Sequence, residues 1–118
     1  MKRIETIELE TQNGMKEFDV YLGARELMFY ERESEQVTGQ ERSFLSDIEK
    51  INKQPNMTTI VLIAASTLHE KGKKMPVGVD YLDKNINLFE NMQTIMNAIG
   101  KCMADVNVKR DPSEKMGK

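Results

Sequence analysis

The chain's single histidine, His69, lies in "TLHEKGKKMP" (residues 67 to 76), just ahead of a Gly72-Lys73 pair. Three chemistries come to mind: acid-base catalysis, metal binding and a phosphate grip. General acid-base work needs a partner within hydrogen-bond reach. Glu70 is adjacent in sequence, and adjacent side chains on a helix diverge. A metal site wants more ligands than one histidine and the distant Cys102. A phosphate loop needs G-x-x-x-x-G-K-[ST] between a strand and a helix; here no glycine stands at that spacing and Lys74 follows Lys73. The stretch therefore reads as a helix stop. His69 and Lys71 occupy the last turn, where positive charge is welcome. Gly72 takes the left-handed cap position, and Pro76 prevents continuation. Cys102 sits on an apolar stripe as an inert core thiol. With no glycine-flanked serine elbow either, the sequence predicts no catalytic residue, no metal and no cofactor.

A chain of 118 residues suits one domain. Hydrophobic residues make up 39% and charged residues 31%, which reads as globular and soluble. A net charge of -2 gives no general pull towards nucleic acid or an anionic membrane. One cysteine excludes an internal disulfide framework and suits a reducing cytosol. The opening "MKRIETIELE" lacks the apolar core of a signal peptide. The longest apolar run, Ile60 to Ala65, is far too short for a membrane span.

The elements that would carry any site start with a β-hairpin over residues 3–22. "TQNG" separates its strands, and Asn13-Gly14 is expected as the two-residue turn. Phe18, Val20 and Leu22 alternate onto one face; Ile7 and Leu9 share a face that Ile4 does not. A first helix follows over about 24–35, with Leu27, Met28 and Tyr30 inward and the charges in water. A second spans about 41–53, with Phe44, Leu45, Ile48 and Ile51 on one stripe. Pro55 stops it. "NMTTIVLIAASTLHEKG" could be a buried strand by its β-branched run. Its unbroken length favours a helix over about 57–71, apolar nearly all round. "KGKKMPVGVDYLDKN" is expected as loop with at most one short helical turn. The clearest helix covers 88–106, where Leu88, Met92, Ile95, Ile99, Cys102 and Val106 follow four-three spacing. The polar tail 107–118 is expected to be flexible. The class is α+β: one mostly α-helical domain over 1–106, an N-terminal β-hairpin packed on about four helices.

Nine methionines are many for this length. Met92, Met96 and Met103 fall on one face of the last helix, beside Phe89. Core filling explains such a stripe. So does a soft surface that accepts apolar segments of another protein, because an unbranched thioether re-packs readily.

The segment "TTIVLIAASTLHEKGKKMPVGVDYLDKNINLFENMQTIMNAIGKCM" carries a further pattern: an apolar helix, a Gly/Lys loop, then an amphipathic "NLFENM" helix. It resembles the small tail assembly chaperones of long-tailed phages and prophages of Gram-positive bacteria. "KEFDVYLGARELMFYERE" looks like their opening, so the resemblance covers most of residues 15–103. It implies a non-enzymatic protein of the host cytoplasm that binds the tape measure protein and keeps it soluble while tail-tube protein polymerises around it. It also implies a frameshift-extended form, with which a Gly117-Lys118 ending is compatible. Phe89, Met92, Met96 and Met103 are the expected partner-binding residues, and a homo-oligomer is left open. Two other readings compete. One is a structural morphogenesis protein, such as a tail-completion or connector component. The other is a small cytosolic regulator or DNA-binding protein, against which the acidic balance and the lack of a basic recognition helix count.

Overall fold

A computed structural model describes residues 4–116, with side chains described through Met103 except at Asn52. The elements are β1 (Glu5–Thr11), β2 (Gly14–Val20), α1 (Ala24–Thr38), α2 (Phe44–Lys53), α3 (Met57–Thr67), β3 (Leu68–Glu70), α4 (Gly78–Asn85) and α5 (Leu88–Met116). The fold is α+β: an antiparallel sheet in the order β1-β2-β3 with the helices sharing one core. No described helix is long and apolar enough to cross a membrane.

The hairpin forms as its alternation requires. Glu5 pairs with Val20 and Thr11 with Gly14, which turns Leu9, Phe18 and Val20 into the core. Its turn is one residue earlier than expected. Gln12 and Asn13 form it, and only Gly14, at φ 101°, is left-handed. The Asn13-Gly14 turn would need a positive φ at Asn13, and no described non-glycine residue has one. Thr11 supports the observed turn, its hydroxyl donating to the Gly14 carbonyl at 2.7 Å and accepting from Asn13 N–H at 3.1 Å.

At the start of α1, the Glu26 carboxylate accepts the Gly23 N–H at 2.8 Å; at its end, left-handed Gly39 donates to Glu35. Two expectations for this helix fail. Met28 is exposed, and Glu26 is fully buried. The face that meets the core runs through Glu26, Tyr30 and Ser34 at four-residue spacing, so the apolar residues alone misplace it. The second helix begins at Phe44, after Ser43 caps it, rather than near 41, and Leu45 points to solvent. Tyr30 donates to Asp47 Oδ2 at 2.6 Å, Arg42 Nε reaches the same oxygen at 2.9 Å, and Arg42 Nη2 donates to Thr59 at 2.8 Å. This chain of bonds ties α1, α2 and α3 together. Burial first, then the bond to Asp47, pushes the Tyr30 hydroxyl well above the ordinary phenol range.

The largest correction concerns residues 68–70. The third helix ends at Thr67, and the chain goes straight into β3, which pairs antiparallel with β2. The strand edge of β2 is unpaired without it, and such an edge recruits any extended segment that can supply Leu68 to the core. The same hand-off places His69 in a strand rather than in a last helical turn. Gly72 is left-handed as expected, at φ 82°, but it closes a turn in which Lys73 N–H donates to the Glu70 carbonyl.

Where loop was expected, α4 forms two turns. Its start is capped by Glu33 of α1, which accepts the Val79 N–H at 2.6 Å. The final helix begins at Leu88 and its backbone continues past 106 to Met116. Lys, Arg and Glu in that stretch favour helix, while Pro112 opposes it by removing one donor and crowding the preceding turn. Side chains there, including Val106, and residues 117–118 lie outside the described residues.

Candidate partner-binding surface

His69 and Glu26 are both fully buried, with Nε2 and Oε2 2.9 Å apart. The other ring nitrogen faces the Asp19 carbonyl at 3.3 Å, and Tyr21 stacks flat on the ring at 3.9 Å. Both nitrogens thus face protein oxygens, and neither side chain reaches solvent. The sequence reading missed this partner because Glu26 is 43 residues away; the one local signal was its position three residues after Gly23, where a carboxylate caps. The geometry binds α1 to β3 and leaves no atom for a solute.

Gly72 and Lys73 make no cradle for phosphate: Gly72 N–H points to Asp19 at 3.4 Å. Nearby, Lys16 pairs with Glu70, and Tyr81 donates to Glu70 at 3.2 Å. The bond from Lys16 holds the Glu70 carboxyl below its usual range. Lys16 is exposed, while Glu70 and Tyr81 are half-buried. Cys102 is buried, and its thiol donates to the Val20 carbonyl at 3.3 Å, as suits a core thiol. No group of three or more metal-ligating side chains occurs among the described residues.

The four candidate partner-binding residues come together on α5. An α-helix turns about 100° per residue, so Ile99, Met92, Met103, Met96 and Phe89 lie about 40°, 60°, 80°, 100° and 120° round from Ile95. Exposure follows that order. Ile95 and Ile99 are buried, the three methionines are half-buried, and Phe89 is 84% exposed. Met96 and Met103 pack against the buried cluster from outside. The result is a graded ledge in which thioethers form the floor edge and one aromatic ring stands in water.

The ledge is held by the buried side of the same helix, where Asn91 lies about 40° from Ile95, away from the methionines. Asn91 uses its side-chain amide as a strand would: Nδ2 donates to the Glu10 carbonyl at 3.0 Å and Oδ1 accepts the Glu10 N–H at 3.1 Å. This pins α5 along the outer edge of β1 and fixes which residues turn outward.

A second apolar surface was not foreseen. Val37, Met57, Val61 and Leu62 line a shallow hollow of about 190 Å³ between α1 and α3. The sequence makes the third helix apolar nearly all round and central to the core; Met57 at its first turn is half exposed. Comparison with family models, with curated proteins and with solved structures returns no match.

Proposed function

We propose that this chain is a non-enzymatic tail assembly chaperone that binds the tape measure protein in the cytoplasm of the bacterial host and keeps it soluble. The observation that carries the reading is the α5 ledge. A client with repeated apolar helical faces needs a surface that tolerates many sequences. Half-buried methionines on a pinned helix supply adaptable contact without unfolding the core. The exposed Phe89 supplies an aromatic anchor, the residue class that carries binding energy at interfaces. Weak ledges repeated along a long client gain by multivalency. The sequence resemblance to tail assembly chaperones supports the choice of client.

The experiment is co-expression of this chain with a phage tape measure protein. The client is expected in the soluble fraction only with the wild-type chain, and the chain is expected to be missing from finished particles. A client equally soluble alone would sink the proposal. Recovery of the chain as a stoichiometric component of purified particles would replace it with a structural morphogenesis role.

A further inference from the structure

Two surfaces of opposite charge occur on this molecule, on different elements. The first is the solvent side of the hairpin. Glu8 stands directly opposite Glu17, and Glu10 opposite Met15; all four are exposed. Like charges facing each other across a strand pair destabilise it, so this face carries a cost in the isolated chain. Lys71, 3.6 Å from Glu17, is the one cation paired with it among the described residues. Ile4 and Met15, 55% and 63% exposed, give the face apolar ends.

The second surface is a groove of about 480 Å³ where α2 ends and α3 begins. Arg42, Lys50 and Lys53 line it together with Ile51 and Pro55, and no carboxylate does so among the described residues. Asp47 balances Arg42. Lys50 and Lys53 are exposed and have no ion-pair partner among the described residues. Among the described residues each surface thus has charge in excess, and each has apolar groups beside it.

We infer that the acidic hairpin face of one copy docks in the basic groove of a second copy. The complementarity is of sign and of kind: carboxylates meet lysines, and Met15 at the turn end of the face meets Ile51 and Pro55. With 17 basic and 19 acidic residues, two copies approach with little net repulsion. Because the two surfaces differ, the contact is head to tail, and every added copy leaves one face and one groove unused. Assembly can therefore propagate. The inference stands apart from the chaperone reading and needs no client.

The test is sedimentation of the full chain over a range of concentrations at about 50 mM and about 500 mM salt, which changes the screening length several-fold. The expected result is a mass that rises with concentration at low salt and returns to monomer at high salt. Lys50→Glu with Lys53→Glu weakens association at least tenfold, and so does Glu8→Lys with Glu17→Lys. Mixing the two double variants restores it, since each supplies the surface complementary to the other. All four positions are exposed, and far-ultraviolet circular dichroism checks that the variants fold. The inference is overturned by a monomer at every concentration in low salt, or by association indifferent to either charge reversal. It is equally overturned if a short oligonucleotide fills the groove while the chain stays monomeric.

Discussion

His69 Nε2 and Glu26 Oε2 lie 2.9 Å apart with neither side chain exposed, so the sheet and the first helix are joined by a polar bond inside the core. A buried pair of this kind is costly to break from one side. Removing one partner leaves the facing atom of the other, Nε2 or Oε2, without its hydrogen bond, at a cost of about 1–3 kcal/mol. Glu26→Leu is expected to lose that much in chemical denaturation, and part of the loss comes from the Gly23 cap. The double variant Glu26→Leu/His69→Phe should recover about 1–3 kcal/mol relative to the sum of the singles. Strict additivity would show that the two residues do not act as a pair.

Tyr30 makes stability depend on pH at the alkaline end. Its hydroxyl is held above the ordinary phenol value of 10.0 by burial and by the bond to Asp47. A raised folded value means the contribution is complete below pH 10.0 and is lost as pH rises above it. Denaturation midpoints of the wild type should therefore fall from pH 10 upward. Tyr30→Phe should cost about 1.5–3 kcal/mol at neutral pH and flatten the alkaline limb. An unchanged slope would place the pH dependence elsewhere.

Ser66 offers the opposite case. It is fully buried, and its hydroxyl finds no hydrogen-bond partner among the described residues. Ser66→Ala removes an unsatisfied buried group without opening a large space. It should stabilise the chain by about 1 kcal/mol, read as a higher thermal midpoint. A loss of stability would mean that the hydroxyl is satisfied after all.

The α5 ledge separates binding from stability by its gradient of burial. Phe89→Ser should leave the thermal midpoint nearly unchanged, within about 0.5 kcal/mol, because the ring stands in water. It should still lower client capture about tenfold, as an interface anchor would. Met96→Asp should abolish capture and also cost stability, since that side chain partly packs on the core. Capture measured by pull-down of the soluble client decides the matter. Phe89→Ser with full capture and full stability would remove the ledge from the interface.

Much of this was legible in the sequence because it depends on local pattern. Alternation put Phe18 and Val20 inward, and the four-three spacing after Leu88 gave α5 and gathered Phe89, Met92, Met96 and Met103 on one side. What escaped was non-local. The third strand has three residues, too few to show a period, and exists because β2 presents an edge to it. Glu26 reads as a surface charge until His69 arrives from that strand. Leu45 and Met28 were placed inward by counting apolar residues; Tyr30 was rightly placed inward, but the buried positions beside it, Glu26, Ser34 and Asp47, are polar. Residues 78–85 do place Val79 and Leu82 three apart, but two turns are too short for that pattern to stand out, and Glu33, from another helix, caps the start.

The late position of β3 also bears on how the chain is made. Asp19 and His69 are 50 residues apart, while β1 and β2 need only a turn to meet. On the ribosome the hairpin is complete long before its third strand emerges. Until then Phe18 and Val20 lack their cover, and one long edge of β2 is open to any other strand nearby. Synthesis of the segment through Glu70 lets β3 cover the Phe18–Val20 end of that edge, so the interval between the two events is the period in which that end of a nascent chain is most exposed to mispairing.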